Sequence, residues 1–140
     1  MYPQWHLLVS LAIATASLPF NQNIPLFGVT VFGYDIAVFV LCLFVGFIVD
    51  VDHLVDFRLN RGRWFRSAKN AYLEDRWFVV FHGIETAIAS SALSVIFPFL
   101  MFPTACYVCH LIMDIHANGV PLQAYFYAVR FGKILIQKRE

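Results

Sequence analysis

The sequence predicts an all-α integral membrane protein: a small bundle of about four transmembrane or partly inserted helices, followed by a C-terminal helix lying on the membrane surface. Three observations carry that expectation. Hydrophobic residues make up 60% of the 140-residue chain and charged residues only 14%, against about 45–50% apolar and about 25% charged in soluble domains. The apolar residues gather into long runs broken by short polar or proline-containing turns. All ten Lys and Arg residues fall into two stretches, one from Arg58 to Arg76 and one from Arg130 to Arg139. The whole chain, residues 1–140, is expected to form one membrane-embedded domain. The formal net charge of +1 says little about partners, and no nucleic-acid partner is expected.

The first apolar run, Trp5 to Phe20, has no basic residues ahead of it, so it reads as a span and not as a cleavable leader. Asn21-Gln22-Asn23-Ile24-Pro25 makes a neutral turn. The second run starts at Val29 or Ile36 and ends at Val49, with Asp35 as the expected helix cap. The third, Trp77 to Phe97, is long enough for the roughly 20 residues that cross a bilayer; the others are short and imply tilt or local thinning. Pro98 and Pro103 flank an uncharged reversal into the fourth run, Thr104 to His116, which Gly119 and Pro121 should stop. From Leu122 to Ile136, aromatic residues mixed with Arg130 and Lys133 suit an interfacial helix. The three cysteines, Cys42, Cys106 and Cys109, lie inside apolar runs and imply no disulfide framework.

Basic residues favour cytoplasmic loops, which places both termini and the loop after the second span inside the cell, in the inner membrane. That orientation brings four polar stations to one membrane face: His6 at the start of span one, Asp50 after span two, His82 one turn into span three, and Asp114 in the last turn of span four. Ionisable groups in hydrocarbon are costly and persist where they are paired, metal-bound or functional.

Spacing sharpens each station. His110 and Asp114 are four apart and share one helix face, as do His82 and Glu85 at three apart. Thr86, Ser90 and Ser94 extend the His82 stripe at steps of four, so this face is expected to point into the bundle. Within Asp50-Val51-Asp52-His53-Leu54-Val55-Asp56, the pairs Asp50/His53 and Asp52/Asp56 point about 200° apart on an ideal helix. Asp56 is therefore placed in a supporting role, with pairing to Arg58 or capping as its alternative, and His116, near its helix end, is either a supporting residue or merely interfacial. No Lys or Arg lies in the helices that carry His82, Glu85, His110 and Asp114, so a metal ion is the natural source of positive charge. Plain histidine–carboxylate hydrogen bonding is the alternative. Cys106-Tyr107-Val108-Cys109-His110 matches the CxxCH haem-attachment pattern, yet it sits in a span whose polar end faces inward, and the match reads as coincidence.

Trp5-His6-Leu7-Leu8, Ile48-Val49-Asp50-Val51-Asp52-His53, Phe81-His82-Gly83-Ile84-Glu85 and His110-Leu111-Ile112-Met113-Asp114, followed by Gly119-Val120-Pro121-Leu122, occur in the order of the motifs of the YdjM-like family. The chain resembles these inner-membrane metal-dependent hydrolases over most of its length. The resemblance extends more distantly to the zinc-dependent phospholipase C group. Two positions depart from the family pattern: Val49 stands where many members have Pro, and Glu85 where a second His is common.

What the resemblance and the stations together imply is a membrane-bound phosphoesterase. Its metal ligands would come from His6, Asp50, Asp52, His53, His82, Glu85, His110 and Asp114, around two or three divalent ions, most naturally zinc. Metal-activated water would be the nucleophile, with Asp50 and Glu85 as the catalytic carboxylates. Arg58, Arg61, Arg63 and Arg66 could hold a lipid phosphate, although a basic loop after a helix also serves simply to fix topology. Membrane lipids and a lipid-like or phosphorylated substrate are the expected partners. The alternatives are a metal-ion or proton transporter and a structural membrane subunit using the same cluster.

Overall fold

A computed structural model describes residues 3–23, 30–31, 34–51, 81–118 and 121–129. Four α-helices dominate them: α1 (Pro3–Ser17), α2 (Ala37–Ile48), α3 (Ile84–Ile96) and α4 (Met101–Asn118). A 3-10 turn, Leu18–Asn23, follows α1, and a two-residue antiparallel ribbon pairs Thr30 with Asp35 and Val31 with Tyr34 before α2 begins. The all-α expectation holds apart from this ribbon. Asp35 is not the N-cap of α2, because that position belongs to Ile36, which makes no side-chain cap.

Helices α1, α2 and α4 pack against one another, and α3 packs chiefly on α4. Each of the first three buries a single stripe. On α1 it is His6, Ser10, Ala14 and Ser17; on α2 it is Val38, Cys42, Gly46 and Val49. On α4 it runs through Thr104, Cys106, Tyr107, His110, Leu111 and Asp114. Steps of three and four keep such residues on one face of a helix.

What these stripes contain is unusual for a water-soluble bundle. The α1 stripe is small and polar, while its outer face carries Trp5, Leu7, Leu8 and Leu11, with Trp5 53% exposed. Small residues let backbones come close, and this is how helices associate where no water drives them together. Gly46 shows the point: a Cβ there would collide with the Ser10 side chain. Across the same contact, the Cys106 thiol lies 3.9 Å from the Ser10 carbonyl oxygen. Three helices therefore meet around Ser10, and Cys42 and Cys106 are both free thiols in this core.

Helix α3 buries no residue fully. Its polar stripe is half-buried, with Ser90 and Ser94 bonded back to the carbonyls of Ala87 and Ser91. The helix starts at Ile84, so His82 precedes it and does not lie a turn inside a span. Gly83 is the extended N-cap, and the stripe of four-residue steps does not continue back into helix. The reversal between α3 and α4 is a 3-10 turn, Pro98–Leu100. After α4, Leu122–Tyr125 forms a further 3-10 turn in which Ala124 and Tyr125 are fully buried. This stretch joins a core with Val49, Tyr107 and Leu111. The expected interfacial helix does not begin there, because Tyr125 finds its apolar surroundings inside the protein.

The Gly46–Ser10 approach sets a stability test. Gly46→Val should destabilise the fold by about 1–3 kcal/mol through overpacking, read as a lower thermal unfolding midpoint in detergent. Val40→Ala, on the exposed face of the same helix, should change it little.

Candidate metal centre

His110 and Asp114 project from one face of α4, one turn apart. Asp50 comes from the turn that ends α2, where its backbone N–H bonds the Phe47 carbonyl at 3.2 Å. His82 comes from the extended segment before α3. These four side chains converge: one ligand atom from each lies within 4.8 Å of all the others. The chain thus builds a buried Asp/His/His/Asp group close enough to hold a metal ion.

The distances allow a chemical test. Nε2 of His82 is 2.9 Å from Asp114 Oδ2 and 3.3 Å from His110 Nε2. Nε2 of His110 is 3.5 Å from Asp114 Oδ2 and 3.4 Å from Asp50 Oδ1, and His82 Nε2 is 3.9 Å from Asp50 Oδ1. A tetrahedral zinc site with bonds of about 2.0–2.1 Å has donor–donor edges of about 3.3 Å. The observed spacings bracket that edge. Two imidazoles and two carboxylates also form a donor set that suits zinc.

Orientation adds to the spacing. Asp114 Oδ2 is buried and lies 2.9 Å from His82 Nε2, yet the contact lacks hydrogen-bond geometry, leaving that oxygen without a hydrogen-bond partner among the described residues. An atom that is near its neighbour but not aligned for a shared proton is what a common third centre would produce. Nδ1 of His6 and of His110 likewise have no hydrogen-bond partner among the described residues.

Exposure divides the four. The side chains of His82 and His110 are 1% exposed and that of Asp114 is 4%, whereas Asp50 is 31% exposed. Asp50 therefore marks the open side of the group. Burial opposes its ionisation, but the hydrogen bond from His110 and the fields of His110 and His6 outweigh that and hold its carboxyl below the usual range.

His6, expected as a ligand, is not among the four converging residues but stands directly beside them. Its Nε2 is 3.3 Å from Asp114 Oδ1, the oxygen opposite the one facing the two histidines, and its ring lies 3.9 Å from that of His110. It can orient Asp114 without being one of the four. Glu85, also expected as a ligand, is a half-buried residue in the first turn of α3 and is not in the converging group. A carboxylate there interacts favourably with the helix N-terminus. His116 is exposed. Two residues beyond Asp114, it faces about 200° away from it and supports nothing in the site. Asp52, His53, Asp56, Arg58, Arg61, Arg63 and Arg66 lie outside the described residues.

Tyr107 belongs to the site and was not singled out by spacing. Its hydroxyl lies 2.6 Å from the Phe81 carbonyl oxygen and 3.0 Å from that of Gly83. The signal was present: Tyr107, His110 and Asp114 follow at i, i+3 and i+7, which places all three on one face. The Cys106-to-His110 pattern does not act as a unit, since Cys106 packs with Cys42 near Ser10 while His110 faces His82.

Two outcomes are expected from this geometry. His110→Ala and Asp114→Ala should each abolish stoichiometric metal in the purified protein, whereas His6→Ala should weaken affinity by about 10–100-fold, as loss of an orienting partner does; elemental analysis and chelator competition measure both. Changing Cys106 and Cys109 to Ser should leave metal content intact, with no haem absorbance in either protein.

Comparison of the chain with protein-family models, with curated proteins and with solved structures finds no match.

Proposed function

We propose that the protein is a membrane-bound, metal-dependent hydrolase that cleaves a phosphoester of a lipid or membrane-associated substrate, with zinc held by His82, His110, Asp114 and Asp50. The observation that carries this reading is the convergence of those four side chains within 4.8 Å, with three of them buried and Asp50 at the open side. Catalytic zinc sites characteristically combine three protein ligands with a position left for water or substrate. His82, His110 and Asp114 are the three inner donors in this proposal. Asp50 serves as an exchangeable fourth donor or as the group that accepts a proton.

A zinc ion held by these donors supplies Lewis acidity, which brings the ionisation of water from a pKa of about 15.7 to about 7 and draws charge from a phosphoryl oxygen. The chain's own residues do the rest. His6 fixes Asp114 through the far carboxylate oxygen. The α4 helix sets the interval between His110 and Asp114. The basic stretch after Asp50 in the sequence offers guanidinium groups, from Arg58, Arg61, Arg63 and Arg66, for bidentate contacts to phosphate.

The membrane setting is supported by the inverted polarity of α1, which buries Ser10 and Ser17 and exposes Trp5, Leu7, Leu8 and Leu11. Among the described residues, Pro98–Ala117 is long and apolar enough to cross a bilayer, and 33% of that span is buried within the molecule. The core helix of a soluble protein would be mostly covered. Shorter apolar helices accompany it at Gln4–Phe20, Ala37–Phe47 and Ile84–Ile96, consistent with partial insertion at the inner-membrane face. Exposure of one donor on one side favours catalysis over carriage of an ion between two faces.

The full chain purified in detergent should contain stoichiometric zinc and hydrolyse a lipid phosphate in a chelator-sensitive way. Asp50→Asn should retain much of the metal while turnover falls by about 10²–10⁴-fold, the usual scale for losing a proton acceptor. A wild-type protein free of any transition metal would overturn the proposal.

A further inference from the structure

We infer that Tyr107 is a positioning residue of the metal centre: its phenol clips the extended backbone on both sides of His82 and so fixes where that imidazole stands. The inference rests on reading His82 as a metal ligand and goes beyond it.

Of the three buried donors, His110 and Asp114 inherit their spacing from a helix, but His82 does not. It lies before α3, and Gly83 beside it is extended, with φ −106° and ψ 134°. Carbonyl groups in a part-buried, non-helical stretch need partners. Those of Phe81 and Gly83 converge on one hydroxyl, at 2.6 and 3.0 Å from Tyr107 Oη, which shares its proton between them. The Gly83 carbonyl also accepts the Ala87 N–H at 3.3 Å, so the same clip joins the segment to the first turn of α3.

Tyr107 is buried and one turn ahead of His110 on the same face of α4. The rigid helix that sets the His110–Asp114 interval thus also measures the distance to the His82 backbone. A second tyrosine closes the other side. A Cβ at position 83 would collide with the Tyr127 ring, whose hydroxyl lies 2.7 Å from Thr86 Oγ1. With the glycine packed under Tyr127, the segment has little room to slide, and Tyr107 decides its height over α4. Donor spacings near a tetrahedral edge tolerate only small displacements before affinity falls.

The test compares wild type, Tyr107→Phe and Thr104→Val as full chains in detergent. Thr104 is the control: it sits nearly one turn earlier on α4 and also bonds across to α3, its Oγ1 lying 3.3 Å from the Ser90 carbonyl, without touching the His82 segment. Zinc affinity is read by competition with a chromogenic chelator, and site geometry by the visible absorption bands of the Co²⁺-loaded protein, with circular dichroism confirming equal helix content. Tyr107→Phe should bind zinc about 10-fold more weakly, the scale of losing a group that orients a ligand, and should alter the Co²⁺ bands; Thr104→Val should match wild type in both. The inference is overturned if Tyr107→Phe keeps wild-type affinity and spectrum, or if Thr104→Val loses as much. Wild type binding neither metal overturns the site reading as well, which separates the two failures.

Discussion

Lone-pair donors do not crowd together in an apolar bundle without something positive between them. Two imidazole nitrogens and two carboxylates stand 2.9–3.9 Å apart around His82, with no lysine or arginine in α1, α2, α3 or α4. Protons carry part of that charge, since His82 Nε2 and His110 Nε2 hydrogen-bond at 3.3 Å, but Asp114 Oδ2 lies close to His82 with no aligned donor among the described residues. A cation would meet the constraint at lower cost, because it would satisfy several donors at once and remove their mutual repulsion. Much of the remaining architecture can be understood as holding that spacing.

Holding it demands helices that approach closely and stay there. The contact of Gly46 with Ser10, reinforced by Cys106, sets the separation of α1, α2 and α4 one to two turns away from the donors. Large side chains are sent outward, where Val40, Phe44 and Phe47 lie exposed on α2. Packing of small residues replaces the large apolar core of a soluble domain. His6 and Ser10 share one stripe of α1, so the helix that supplies the tight contact also carries the residue that steadies Asp114.

Much of this was legible in the sequence. Among the described residues each of the four apolar runs contains a helix, and the HxxxD spacing put His110 and Asp114 on one face. Asp50 and His82 were singled out because charge in an apolar stretch needs a reason. What sequence could not supply was the local break at His82. The steps His82, Thr86, Ser90, Ser94 mimic a continuous helix, whereas the helix begins at Ile84 behind an extended glycine. Glu85 was drawn into the ligand set by the same assumed helix. His6 was placed on the site-facing stripe of α1 by the same reasoning, but periodicity gives the face of a helix and not which oxygen of a partner it will meet. Tyr107 stayed hidden because its role lies in what its hydroxyl reaches across space. Tyr125 falls in the stretch expected to be interfacial, and its burial depends on Val49, Tyr107 and Leu111, which only packing brings together.

The donors also come from stretches far apart along the chain, with Asp50 and Asp114 near the two ends of the set and His82 between them. An ion gripped by all of them is a crosslink as much as a reagent, joining the end of α2, the entry to α3 and the last turns of α4. Anything that binds the folded chain and not the unfolded one raises stability with its concentration. Were a metal ion bound there, its supply would govern how long the folded chain persists, and loss of the ion would loosen the bundle from the centre outward.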